Sequence, residues 1–180
     1  MDWLHLKSGS DVRGVAMGEH PVLTEHVAKC LGMAFARFTA QRTGKSVSQV
    51  TVAIGRDSRL TGPALAEATA EGISRAGASV MQFGMCTTPA MYMSIITPGF
   101  QPDGAIMITA SHLPPERNGL KFFLEDGDSA SYAGLACSLR DFMSEKGYFG
   151  EAESPDFDIA LDFLGAETEN YVLGKQSVPM

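Results

Sequence analysis

Apolar and polar positions follow two rhythms along this chain, and the rhythms take turns. From Thr24 onward, Val27, Leu31, Ala34, Phe35 and Phe38 recur at helical spacing, and Gly44 closes the pattern. Residues 49–55 (QVTVAIG) form a nearly continuous β-branched and apolar run, as expected of a strand covered on both faces. A polar turn, RDSRLTG, follows. Pro63 then stands where a first helical residue belongs, ahead of Leu65, Ala68, Ile73 and Ala76, with Gly77 as the stop.

The same unit recurs downstream. A strand is predicted over residues 79–83, a turn at Thr87-Thr88-Pro89, a short helix over 90–96 and a buried-type strand over 104–109 (GAIMIT). After a loop, residues 120–124 (LKFFL) read as another strand. Gly127-Asp128 then turns the chain toward helices near 132–146 and 157–173. Residues 10–16 supply a short opening strand. This alternation predicts an α/β fold, a three-layer α/β/α sandwich on a mostly parallel mixed sheet, with chemistry in the loops at the carboxyl ends of strands.

Composition narrows the classes. With 180 residues, 44% of them hydrophobic, the chain fits one ordinary domain with a real core, and 19 Gly and 9 Pro imply frequent tight turns. A formal charge of −7 argues against a nucleic-acid partner, which needs clustered Lys and Arg. Cys30, Cys86 and Cys137 are odd in number and lack a Cys-x-x-Cys or Cys/His pattern, so neither a disulfide framework nor a zinc site is indicated. The apolar stretches are too short to span a bilayer, and residues 1–10 lack the order of a signal peptide, so a cytoplasmic protein without membrane partners is expected.

The loop after GAIMIT carries the most chemistry: Thr109-Ala110-Ser111-His112-Leu113-Pro114-Pro115-Glu116-Arg117-Asn118-Gly119, then Leu120-Lys121. A serine at a strand's carboxyl end is held by a rigid element and open to a cleft. Pro114-Pro115 limits the loop, and Asn118-Gly119 reads as a tight turn that returns Lys121 to Ser111. With His112 adjacent, this place suits a phosphoryl group moving to or from the serine oxygen. On spacing alone the same residues also fit a loop cap, a hairpin turn and a solvated lysine.

The segment TASHLPPERNGLK closely resembles the serine loop of the alpha-D-phosphohexomutases, the phosphoglucomutase/phosphomannomutase family, whose usual form is TASHNP followed by NGxK. Three further segments agree in order: Ser10-Asp11-Val12-Arg13-Gly14 with the amino-terminal GTxGxRG, Gly55-Arg56-Asp57-Ser58-Arg59 with the GxDxR turn, and Cys86-Thr87-Thr88-Pro89-Ala90 with the G-x-x-T/S-T-P segment. The resemblance implies domain I of such an enzyme over residues 1–165, with 166–180 beginning the connection to a second domain. It implies Ser111 as the phosphoryl carrier between a hexose phosphate and a hexose bisphosphate. His112 and Lys121 are then acid/base and charge-stabilising residues, and Arg13 approaches the serine's phosphate. It further implies Mg2+ bound through phosphorylated Ser111 and carboxylates of a domain outside this chain. Because phosphoryl transfer relies on positioning and charge neutralisation, the chain without the remaining domains of the enzyme is expected to be inactive. A truncated or non-catalytic paralogue that acts as a binding module is the alternative.

The pattern is not matched everywhere. Leu113 stands in place of the usual Asn, Ser10 in place of Thr, and the family's metal-binding DGDxDR loop has no counterpart. Asp126-Gly127-Asp128 lacks the later Asp-Arg and reads as a polar turn. Asp57 and Arg59 read as a turn brace and stay outside the catalytic set. Gly44-Lys45-Ser46 is no P-loop, because Thr39 stands where its first glycine belongs. His5, His20 and His26 form no ligand constellation.

Overall fold

A computed structural model describes residues 6–8 and 11–124. Six strands and three α-helices follow in order: β1 (Lys7–Ser8), β2 (Asp11–Val15), α1 (Glu25–Thr43), β3 (Thr51–Arg56), α2 (Gly62–Ala76), β4 (Ser79–Met85), α3 (Thr88–Ile96), β5 (Gly104–Ile108) and β6 (Arg117–Leu124), with one 3-10 turn at Val47–Gln49 ahead of β3. The expected helices near 132–146 and 157–173, the Gly127-Asp128 turn and the boundary at residue 165 lie outside the described residues.

Helix limits follow from local chemistry. Thr24 is the N-cap of α1 and accepts from the Val27 amide at 3.3 Å, while Gly44 ends the helix in the left-handed conformation at φ 69°. Gly77 closes α2 in the same way, at φ 98°. Thr87 caps α3 through the Ala90 amide, and its Pro89 costs nothing in the first turn, where the missing N–H would have had no partner. Gly44 caps the helix and Lys45 binds Asp103, so the P-loop-like tripeptide is a helix end.

The strands form one sheet in the order β1-β2-β6-β5-β3-β4. β3 pairs in parallel with β4 and β5, whereas β6 is antiparallel to both β5 and β2, and β1 is antiparallel to β2. β2, β3, β4 and β5 therefore run in one direction, with β1 and β6 against them. Helices α1 and α2 cover one face through Phe35, Phe38, Leu65 and Ile73 against Val52, Ile54, Ile106 and Leu120. Helix α3 covers the other, with Met91 and Ile95 on Ala53, Ala105 and Met107. This is the expected three-layer sandwich. The carboxyl ends of β2, β3, β4 and β5 share one edge, so the loops that follow them meet there. Among the described residues no helix is long and apolar enough to cross a membrane.

One local expectation is corrected. Asn118-Gly119 is not a turn. Both residues lie inside β6, where Asn118 pairs with Gly14 and Gly119 with Arg13. Asn118 is fully buried, and its side-chain Nδ2 donates to Thr61 Oγ1 at 2.9 Å while its side-chain Oδ1 accepts from the Gly119 amide. Gly119 serves close approach instead of a left-handed turn. A Cβ there would lie 2.5 Å from the Val12 carbonyl oxygen, 2.8 Å from that of Thr109 and 2.8 Å from Arg13 Cγ.

Candidate active site at the serine loop

Ser111 leaves the sheet edge just beyond β5 and is exposed, as is His112. Its backbone is left-handed, with φ 57°, a conformation uncommon for a residue with a side chain. The loop's sharp bend therefore falls on the serine itself and not on the Asn-Gly pair. Its hydroxyl lies 3.4 Å from His112 Nδ1, a long contact that leaves the oxygen open on its other sides.

Backbone and side-chain bonds fix that geometry from behind. The Ser111 amide donates to Thr109 Oγ1 at 2.9 Å, and that hydroxyl donates to Asp57 Oδ2 at 2.6 Å. Asp57 Oδ1 accepts from the Arg59 amide at 3.0 Å, and Oδ2 lies 3.3 Å from Arg59 Nε. The Arg59 guanidinium then donates to four carbonyls of the loop: Pro114 at 2.7 Å and Arg117 at 2.8 Å from Nη1, Ser111 at 2.9 Å and Leu113 at 2.7 Å from Nη2. Asp57 and Arg59 form a brace, as their sequence predicts, and it spans the whole serine loop. At position 113 the brace uses the backbone carbonyl, a contact that does not depend on the side chain.

Arg13 and Lys121 lie on β2 and β6. Strand neighbours alternate faces, and Val12, Leu120 and Phe122 join the α1/α2 core, so Arg13 and Lys121 project on the α3 side together with Asp11. Phe123, on that same side, packs edge-on against Tyr92 of α3. Asp11 Oδ2 takes Arg13 Nη2 at 2.7 Å and Lys121 Nζ at 2.5 Å. One nearly buried carboxylate thus faces two cations, which leaves a local surplus of positive charge in a chain that is negative overall. Arg13 Nε is buried without a hydrogen-bond partner. The Arg13 stem lies over Gly119, whose carbonyl accepts from the Thr109 amide, so β6 alone separates Arg13 from the strand that leads to Ser111. Lys121 does not return to Ser111 by a turn. It pairs with Met107 two rows deeper in the sheet, and its ammonium is engaged by Asp11. Asp11, inside the quoted amino-terminal motif, was given no role from sequence. The turn chemistry of β6 drew attention away from its strand partner.

Other groups lie aside from this edge. A groove of about 350 Å3 on the α2 side of β3 and β4, lined by Arg56, Pro63, Glu67 and Gln82 among others, does not include the serine loop. Cys86, packed behind Gly55, has its thiol pushed above the usual range by burial, partly offset by its backbone bond to Arg56. Among the described residues no group of three or more His, Cys, Asp or Glu could hold a metal ion.

Comparison with known proteins agrees with this architecture. The family described as "Phosphoglucomutase/phosphomannomutase, alpha/beta/alpha domain I" matches residues 5–134. A phosphoglucosamine mutase of Chromohalobacter salexigens is 39% identical over 158 residues, covering 87% of this chain and 32% of the relative. A phosphoglucomutase of Neisseria gonorrhoeae is 35% identical over 163 residues, covering 90% of this chain and 32% of the relative. In structure, a phosphoglucomutase/phosphomannomutase family protein of Burkholderia thailandensis superposes with a TM-score of 0.61 at 32% identity, over 78% of this chain and 31% of that one. The chain thus spans about a third of the length of these relatives.

Proposed function

Because the chain belongs to the phosphoglucomutase/phosphomannomutase family, as its α/β/α domain I, we propose that Ser111 is the phosphoryl carrier of a phosphohexomutase acting between the 1 and 6 positions of a hexose phosphate. The observation that carries the reading is the exposed Ser111 hydroxyl on a braced, left-handed loop beyond β5, on a sheet whose β2, two strands over, carries a carboxylate that holds two cations. In the forward step the bond between phosphorus and Ser111 Oγ breaks. The phosphoryl group passes to a sugar hydroxyl, whose proton leaves, and a bisphosphate results. Once that sugar turns over, its other phosphate returns a phosphoryl group to Ser111 Oγ.

In that scheme His112, whose Nδ1 is near Ser111 Oγ, holds or moves a proton at that oxygen, and Arg13 and Lys121 offset the phosphate's charge of about −2. Magnesium, which family resemblance implies, would neutralise further charge. By the same resemblance it would be held through a phosphate on Ser111, with carboxylate ligands from a domain outside this chain. The same division of labour makes hexose choice and mutase turnover properties of the complete protein, and the chain alone should not convert glucose 1-phosphate.

The test is to expose the chain to glucose 1,6-bisphosphate and follow intact mass and peptide masses. One phosphoryl group should appear on the peptide containing Ser111 and be absent in Ser111→Ala. No uptake, or uptake equally present in Ser111→Ala, would assign the fold to a non-catalytic paralogue instead. Sustained turnover of glucose 1-phosphate by this chain alone would contradict the division of labour.

A further inference from the structure

We propose that Arg59 is a positioning residue for Ser111: by gripping the serine loop from behind it holds the left-handed turn that presents Oγ, and so sets how fast that oxygen exchanges phosphate. This rests on the carrier role of Ser111 proposed above. A non-glycine residue at positive φ persists only where its surroundings over-determine it. Here both backbone groups of Ser111 are held by one bracket. Its carbonyl accepts from Arg59 Nη2, and its amide donates to Thr109 Oγ1, which is tied through Asp57 back to Arg59.

The chemistry of the grip points to arginine specifically. Two terminal nitrogens of one plane serve four carbonyls contributed by residues 111, 113, 114 and 117. A lysine carries its donors on one atom and cannot span them. These bonds occupy both terminal nitrogens, and Nε is buried 3.3 Å from Asp57 Oδ2 without a hydrogen bond of its own, so none is aimed at a phosphate. Arg59 therefore acts through the loop and does not touch the reacting atoms.

One of the four carbonyls makes the claim measurable apart from any enzymology. Arg117 O, bonded to Arg59 Nη1, is the carbonyl that an arginine-specific protease must attack to cut between Arg117 and Asn118. Arg75, paired with Glu71 in the last turn of α2, lies outside the serine loop and serves as the reference cut. The experiment compares wild type, Arg59→Lys and Thr109→Val in the full chain. It follows cutting after Arg117 relative to Arg75, and the saturating rate of phosphoryl uptake at Ser111 from glucose 1,6-bisphosphate.

In Arg59→Lys the ratio of cutting at Arg117 to Arg75 should rise about tenfold, the equivalent of losing one charge-assisted hydrogen bond, and the saturating uptake rate should fall by about as much. The half-saturating concentration should stay within about twofold, since sugar binding is untouched. Thr109→Val, which removes the acceptor of the Ser111 amide, should slow uptake in the same direction and carries the test if Arg59→Lys does not fold. An unchanged cutting ratio, or full-rate uptake despite a raised ratio, overturns the proposal. If wild type takes no phosphate, the carrier role falls, and the cutting ratio alone decides whether Arg59 holds the loop.

Discussion

The two faces of the sheet are covered by different amounts of protein. On the α1/α2 side the helices touch backbone to backbone: a Cβ on Gly72 would come within 2.0 Å of the Lys29 carbonyl oxygen, and one on Gly32 within 2.4 Å of that of Thr69. Phe35, Phe38 and Ile73 fill what space remains, all but fully buried. On the α3 side one nine-residue helix lies over Ala53, Ala105 and Met107, and Met93, Ile96 and Phe100 stay largely exposed. The closed layer is filled mainly by apolar side chains, with Arg37 a buried exception, whereas the Asp11, Arg13 and Lys121 cluster stands on the thin side. Stability is thus concentrated on one face and polar chemistry on the other.

That contrast can be broken or sharpened by substitution. Phe35→Ala, which strips a ring packed 5.1 Å from Phe122 in the closed layer, should cost about 3–5 kcal/mol, read as a drop in the denaturant midpoint. Gly72→Ala comes next: despite better helix propensity it forces α1 and α2 apart, for a net loss of about 1–3 kcal/mol. On the thin face Met91→Ala should cost about 2 kcal/mol, at the low end for its type because few layers must collapse around it. Met93→Ser, on the exposed side of α3, should stay within about 0.5 kcal/mol. A loss from Met93→Ser as large as that from Phe35→Ala would erase the distinction between the faces.

The smallest effect is chemical. Burial on the α3 side disfavours the Cys86 thiolate, so its pKa is raised, and the thiolate is the reactive form. Between neutrality and mild alkali Cys86 should alkylate more slowly in the folded chain than in denaturant, and the gap should narrow as pH rises. Equal rates throughout would mean that α3 leaves the thiol fully in water.

Helix limits were legible because their causes are local. Thr24 and Gly44, Pro63 and Gly77, and Thr87 and Pro89 mark ends through bonds reaching four residues or fewer. Ser111, His112, Arg13 and Lys121 could be singled out because they sit in recognisable segments. What escaped the sequence was long-range. Arg59 reaches carbonyls 52 to 58 positions away, and Asp11 meets Lys121 across 110. Asn118-Gly119 misled for a related reason: the pair is favoured in turns by local propensity, yet it is chosen here so that β2 and the end of β5 can approach β6 closely. The placement of β6 between β5 and β2 has no signature in either strand's own residues.

The central claim, that the cations of the α3 side serve a phosphate at position 111, is tested most directly by phosphorus NMR on the chain carrying phosphoserine there, titrated across the group's second ionisation near pH 6. On the proposed role Arg13 and Lys121 would favour the dianion, so the midpoint should lie below that of a phosphoserine peptide and move back toward it in Arg13→Ala. A midpoint equal to the peptide's, unmoved by Arg13→Ala, would contradict the account.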